Sequence, residues 1–156
     1  MTLDPTARES NVRDSIKKFF IDTFETANDV RVTFDITVNE PPLRDNSITR
    51  WLSVAFSDML FDKFSTVDLD IYCVTRKDPE GFRLAQLRDL VYGNLVDTDQ
   101  TDGMKRIAFY RSYPNQAWEQ IGALLVYDIQ ESGQMRTDEN GKAKILSVTL
   151  KFASKL

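Results

Sequence analysis

The chain contains no histidine and a single cysteine, Cys73. Without histidine there can be no Ser–His–Asp or Cys–His nucleophile system and no imidazole metal site. With one cysteine there can be no internal disulfide and no zinc site built from thiolates. Carboxylate, lysine, tyrosine and hydroxyl chemistry remain. No apolar run approaches the roughly 18 residues of a membrane span, and Met1 to Arg13 lacks the apolar stretch of a secretory signal. The expectation is an intracellular, soluble protein. Positive charge is not in surplus either: 20 Lys and Arg against 24 Asp and Glu leave a formal charge of −4, with a pI near 4.9. Proteins whose main task is to grip nucleic acid usually carry a basic face, and none stands out. Internal repeats, low-complexity tracts and glycine-rich phosphate loops are also missing.

What is present is enough for one domain. The 156 residues fit the usual size of roughly 100–200 residues per domain, so 1–156 is read as a single unit. A chain of this length buries roughly two-thirds of its unfolded surface and needs no metal or disulfide to fold.

The stretch Val67–Leu95 is the most strongly patterned: strand, polar turn, helix. Val67, Leu69, Ile71 and Cys73 fall on one face of a strand, and Asp68, Asp70, Tyr72 and Val74 on the other. The position of Cys73 on the apolar face marks it as a buried structural thiol. Asp78 is placed to cap the following helix, with Pro79 at its first position and Glu80 in its first turn. Leu84, Leu87, Val91 and Leu95 then recur at spacings of three and four. A strand feeding a capped helix can hold an anion, but the strand face is acidic and nothing glycine-rich joins the two.

Before this unit, a start signal at Asp4-Pro5 and a capping box at Thr6–Glu9 open a helix. Val12, Ile16, Phe19, Phe20 and Phe24 form its apolar stripe, and it ends near Ala27-Asn28. Its charged face is of mixed sign, unlike the basic face of a membrane-surface helix. Val30 to Val38 alternates as a strand of an antiparallel sheet. Pro41-Pro42 then break the ladder, and the loop with Arg44 reads either as a projection that touches a partner or as a plain connector. Ser47 to Phe61 resumes as a strand that is apolar on both faces, with a short helical turn expected at Met59–Phe64.

After Leu95, the Asp97, Asp99, Asp102, Gly103 series invites comparison with a calcium loop. It fails, because the third acid is one position late and Ala108 stands where the bidentate glutamate belongs. Ile107 to Tyr113 reads as a strand, Trp118 as a packing residue in a short link, and Gln120 to Glu131 as an interior or subunit-covered strand. Asn140-Gly141 is the strongest hairpin-turn signal and precedes a last strand with Leu146, Val148, Leu150 and Phe152 inward. A bulge is expected at Gly133. Runs of strands with only two helices give an α+β fold. The expected form is a mostly antiparallel β-sheet with two helices packed on one face and a long C-terminal β-hairpin.

Taken whole, the chain resembles the tail terminator proteins of long-tailed (siphovirus-type) bacteriophages. The features that carry the resemblance are the amphipathic helix at Thr6–Ala27, the VDLDIYCVTRKDPEGFRLAQLRDLV strand–turn–helix, the acidic composition and the closing hairpin at Gln120–Phe152. The likeness spans nearly the full length and rests on element order and size. It implies a hexameric ring in the virion, assembled in the host cytoplasm, that caps the head-proximal end of the tail tube. Such a ring ends tube polymerisation and presents a docking surface to the head–tail connector or neck protein. The implied partners are further copies of the chain, the tail tube protein and the neck protein. DNA would pass through the lumen without sequence recognition, and no membrane is involved. The family transfers no catalytic residue, metal or cofactor. The expected interface residues are Asp68 and Asp70 on the central strand, Pro41, Pro42 and Arg44 in the proline loop, and Met135, Arg136, Asn140 and Gly141 in a C-terminal arm. The alternatives are another head–tail connector, a tail completion or tube component, or a magnesium-dependent hydrolase using Asp68, Asp70, Asp97 and Asp99.

Overall fold

The computed structural model describes residues 9–35, 48–60, 64–111, 118–137 and 141–153. Within these, helix α1 (Glu9–Phe20) leads to strands β1 (Arg31–Phe34), β2 (Arg50–Leu60) and β3 (Phe64–Thr75). Helix α2 (Phe82–Leu95) follows, and then β4 (Arg106–Arg111), β5 (Glu119–Glu131), β6 (Met135–Arg136) and β7 (Lys142–Ala153). All seven strands belong to one mixed sheet in the order β1-β2-β3-β7-β5-β4, with β6 beside the start of β7. The sheet curls into a half-barrel, and the fold is α+β. One buried cluster joins the inward rows of the strands to both helices, so the helices fill the concave side.

The alternation read for β3, β7 and the apolar row of β2 holds. Val67, Leu69, Ile71 and Cys73 lie against Leu146, Val148 and Leu150 of β7, all buried. The long hairpin of β5 and β7 forms through pairing from Leu125 to Glu131. Pairing is antiparallel everywhere except between β1 and β2, which run parallel. A parallel pair needs a crossover of about a dozen residues or more, and the 15 residues from Asp35 to Thr49 supply that length. The strand expected to reach Val38 stops at Phe34. Asp35 turns into the left-handed region (φ 57°), its N–H bonds to Val54 O, and its carboxylate accepts the N–H of Phe56. The side chain thereby takes the place of the next backbone pair, and Ile36 to Val38 lie outside the described residues.

Helix α1 lies across both free edges of the curled sheet. On one side Arg13 pairs with Asp35 and stacks on Phe56. On the other, the buried Ser15 hydroxyl accepts the Tyr110 N–H (2.8 Å) and donates to the Tyr110 carbonyl (3.3 Å). An edge strand presents unpaired backbone groups to solvent, and here one serine satisfies both groups of a β4 residue. Val12, Ile16, Phe20 and Phe24 are all fully buried, a gross contribution of about 6–12 kcal/mol at ~1.5–3 kcal/mol each. A four-residue spacing overshoots a 3.6-residue turn by about 40° per step. The helix absorbs that drift by widening to a π turn at Ile21–Thr26. This keeps Phe24 stacked on Phe20 at 5.5 Å. The helix ends where expected. Its capping signals at Asp4 and Thr6 lie outside the described residues.

The turn into α2 differs from its sequence reading. Asp78 does cap the helix, but from further upstream. Its carboxylate accepts the N–H groups of Leu84 (2.9 Å) and Arg83 (3.3 Å) and the Thr75 hydroxyl (3.1 Å). Pro79 and Glu80 stay in the turn, and Gly81 takes the position before the first helical residue with φ +76°. That conformation costs an L side chain about 1–2 kcal/mol, and a Cβ there would sit 2.6 Å from Gln134 Oε1. The stripe of Leu84, Leu87, Val91 and Leu95 is buried as its spacing predicts.

Three further expectations are corrected. Met59 and Leu60 continue β2 and Phe64 begins β3, where a helical turn was expected, and residues 61–63 lie outside the described residues. A bulge between Phe56 and Met59 keeps Met59 against the core and turns Leu60 away from it, 61% exposed. Phe64 faces away by the alternation of β3, 76% exposed. The bulge expected at Gly133 falls instead at Tyr127. Trp118 is half exposed and packs edge-on against Tyr110 at 5.8 Å. β4 itself ends at Arg111, and residues 112–117 lie outside the described part.

Candidate interaction face

The convex side of the sheet contributes little to the main core. At one end Trp51, Val74 and Ala143 form a small buried cluster of their own, with Tyr72 and Ile48 against it and the Arg76 guanidinium stacked 5.1 Å over the Trp51 ring. This covers the second apolar face of β2 from within the chain. On the second face of β5, Ala123 and Tyr127 are exposed, with the Lys151 ammonium 3.3 Å over the Tyr127 ring.

Toward the other end the convex surface is polar and acidic. Registers place Asp68, Thr149 and Asp128 in one row across β3, β7 and β5, and Asp70, Ser147 and Gln130 in the next. Thr149 donates to Asp68 and Ser147 to Asp70, each at 2.8 Å. Gln130 donates to Asp128 at 3.2 Å. These residues, with Ser57 of β2, line a shallow concavity of about 250 Å³. Among the described residues no group of three or more His, Cys, Asp or Glu is arranged to hold a metal ion. Asp97 and Asp99 lie apart, in a loop closed by the Val96–Met104 bridge, where Asp97 accepts the Asp99 N–H (3.0 Å). The Met104 N–H, together with Arg106, holds the Asp102 carboxyl below its usual range. These acids shape their own turn.

Of the interface residues expected from sequence, Asp68 and Asp70 share this face. Met135 and Arg136 do not: they pair with Ala143 and Lys142, six and seven residues along β7 from Thr149, or about 20 Å at ~3.3 Å per residue. The hairpin signal is realised as β6 folding back on β7, with the Thr137 N–H bonded to Gly141 O at 3.0 Å. Pro41, Pro42, Arg44 and Asn140 lie outside the described residues. Asp128 was missed because simple alternation from Leu124 and Val126 sends it inward. The bulge at Tyr127 reverses that, and no residue in the stretch signals it.

A second polar site was also missed. On the concave side, Arg88 of α2 pairs with Glu131 through Nε (2.8 Å) and a second nitrogen, and Lys144 reaches the other carboxylate oxygen at 3.2 Å. Arg88 also contacts Asp89 (3.0 Å) and lies 4.3 Å over the Tyr92 ring. The Arg88 hydrogen bond outweighs burial, and Lys144 adds to it, so the Glu131 carboxyl is held below its usual range. These groups border a cavity of about 290 Å³. Two cations and two carboxylates balance one another there, and the arrangement ties α2 to the β5–β7 hairpin. Burial pushes the nearby Cys73 thiol up to about 12, which removes it from nucleophile chemistry at neutral pH.

No family model matches this chain, and no curated protein matches it. A solved structure whose name states no activity is similar in fold, with a TM-score of 0.58 and 14% identity over 96% of this chain and 99% of the other. A likeness at that identity speaks to the fold alone.

Proposed function

We propose that this chain is a subunit of a hexameric ring that caps the head-proximal end of the tail tube of a long-tailed bacteriophage. The ring ends tube polymerisation and forms the docking surface for the head–tail connector. The observation that supports this reading best is the placement of unused surface. The concave side and both helices are taken up by the core, and what is left is several separate contact surfaces. Leu60 and Phe64 are exposed at one end of the β2–β3 pair, and Phe82 and Met135 lie toward the other. The two ends of the 12-residue β3 stand about 36 Å apart at ~3.3 Å per residue. The acid-bearing convex face lies between them.

A terminator subunit touches the tube on one side, the neck on the other and a neighbour on each flank. It therefore needs several distinct surfaces, and its contacts with neighbours are heterologous ones that close into a ring. The acidic composition, with a formal charge of −4, suits a ring through which DNA passes without being held. In this reading the protein works by binding alone, with no cofactor, and resides at the head-proximal end of the tail in the virion. Native mass spectrometry should find six subunits, and electron microscopy of tail tubes mixed with the protein should show capped ends and fixed tube lengths. A persistent monomer at high concentration that leaves tube ends bare would overturn the reading. Magnesium-dependent turnover abolished by Asp68→Ala or Asp97→Ala would replace it with the hydrolase.

A further inference from the structure

We infer that the acidic convex face of one copy of this chain docks, head to tail, on the basic end of a second copy. The inference rests on the ring reading above and names the two surfaces that close the ring.

The acidic partner surface is the face holding Asp68, Asp70 and Asp128. Each carboxylate accepts a single bond from a neutral side chain, Thr149, Ser147 or Gln130. Among the described residues none of the three has an ion-pair partner within 4.0 Å. Asp68 and Asp128 flank Thr149 in one row, two strand spacings or about 9.5 Å apart. That is close to the ~8 Å screening length at physiological salt, so the three charges act as one negative field. The face is a shallow concavity, its donors are short hydroxyls and an amide, and the exposed Tyr127 borders it with Lys151 over its ring. These are the properties of a surface suited to cations carried by another molecule.

The complementary surface lies at the far end of the same strands. Thr75, Lys142 and Arg136 share one row, and Lys77 follows two residues beyond Thr75. Arg83 stands two residues past Gly81, which lies against the Gln134 side chain next to β6. Lys77, Arg83 and Arg136 are exposed, and none forms an ion pair among the described residues. The half-exposed Met135 and the exposed Phe82 supply apolar contact beside them. Along β7 the two surfaces are seven residues apart, from Lys142 to Thr149, about 23 Å at ~3.3 Å per residue. The cations of this end cannot reach the carboxylates of their own copy. Lys151, two residues beyond Thr149, packs over the Tyr127 ring and forms no ion pair with those carboxylates among the described residues. A second copy can supply its basic end. Because the surfaces are different, the contact is heterologous, and its repetition builds a ring.

Charge exchange tests this in the full-length protein. One variant carries Asp68→Lys with Asp128→Lys, and the other carries Lys77→Glu with Arg136→Glu. Each alone sets like charge against like, so its self-association, followed by sedimentation velocity and native mass spectrometry, should weaken on the order of tenfold or more. An equimolar mixture should recover assembly. The reversed face of the first variant meets the reversed end of the second, the native surfaces pair in the alternate contacts, and such alternation fits a six-membered ring. Circular dichroism and thermal melts show whether each variant keeps its fold. The inference fails if either variant associates as the wild type does, or if both are impaired and the mixture stays dissociated. In those cases a wild-type ring leaves the terminator reading standing. A wild type that never associates, alone or at tube ends, removes both. Retained self-association with loss of DNA binding in the Lys77→Glu, Arg136→Glu variant would assign the basic end to phosphate instead.

Discussion

Asp78 holds the first turn of α2 through three hydrogen bonds, and Asp78→Ala removes them together. The Leu84 and Arg83 N–H groups lose their acceptor, while the Thr75 hydroxyl keeps the Lys142 carbonyl at 3.4 Å. A capping side chain is worth about 0.5–2 kcal/mol, and a hydrogen bond to a charged group about 1.5–3 kcal/mol. The two figures describe overlapping contacts, so a loss of about 2–3 kcal/mol is expected. For a domain of this size each kcal/mol moves the melting temperature by ~2–4 °C, giving a drop of roughly 4–12 °C. Asp78→Asn keeps one acceptor oxygen and should lose less. Burial alone would push the Asp78 carboxyl up. The Leu84 and Arg83 N–H groups, the Thr75 hydroxyl and the Arg83 charge outweigh it and hold the carboxyl below its ordinary 3.8. A lowered pKa contributes stability that is fully present above the unfolded value and is lost as pH falls through the folded one. The gap between wild type and Asp78→Ala should therefore stay constant from neutral pH to about 5 and close below about 4. Thermal melts by circular dichroism across that range decide the matter. The reasoning is refuted if Asp78→Ala melts with the wild type, or if the exposed neighbour Glu80→Ala costs as much.

Gly81→Ala should lower stability by about 1–2 kcal/mol from the left-handed backbone. Adding Gln134→Ala should relieve only the steric part, which urea titration of the single and double variants can separate. Ser15→Ala leaves the Tyr110 N–H and C=O without their side-chain partner, a loss of about 1–2 kcal/mol. Amide exchange at Tyr110 should accelerate more than exchange in the interior strands β3 and β7. Cys73, with its thiol pushed up to about 12, should not react with a disulfide reagent at pH 8 in the native protein. It should react fully once denaturant unfolds the chain.

Much of the fold was legible because burial imposes a period. β3 and β7 bury every second residue along one face, and α2 buries Leu84, Leu87, Val91 and Leu95 at helical spacing. What could not be read arises from single-residue events that leave the period intact on either side. The direction of β1 relative to β2 depends on the path of the connection, and its alternation looks the same either way. Asp35 ends β1 by substituting its carboxylate for a backbone pair, although Ile36 and Val38 prolong the apolar pattern in the sequence. The bulge at Tyr127 inverts everything after it, so Asp128 joins Asp68 on the convex face without any local mark. Helix α2 begins at Phe82, behind Gly81, rather than at Pro79, because Asp78 reaches over the turn to the N–H groups beyond it. The part of the candidate site visible in advance was the part on β3, where no such event intervenes.

The division between the two sides of the sheet explains why the acid-bearing surface is available for recognition at all. Helix α1 joins both edges from the concave side, through Arg13 to Asp35 and through Ser15 to Tyr110. The cohesion of the half-barrel thus lies almost entirely inside it. On the convex side, Asp68, Asp70 and Asp128 contribute three hydrogen bonds to neighbouring side chains, each worth about 0.5–1.5 kcal/mol, and no core contact. Charge on this face can therefore be exchanged at small cost to folding, whereas exchanging Glu131 would leave the partly buried Arg88 and Lys144 without their shared carboxylate. In the head-to-tail contact inferred above, this face, which folding leaves free, would receive its cations from the basic end of a second copy.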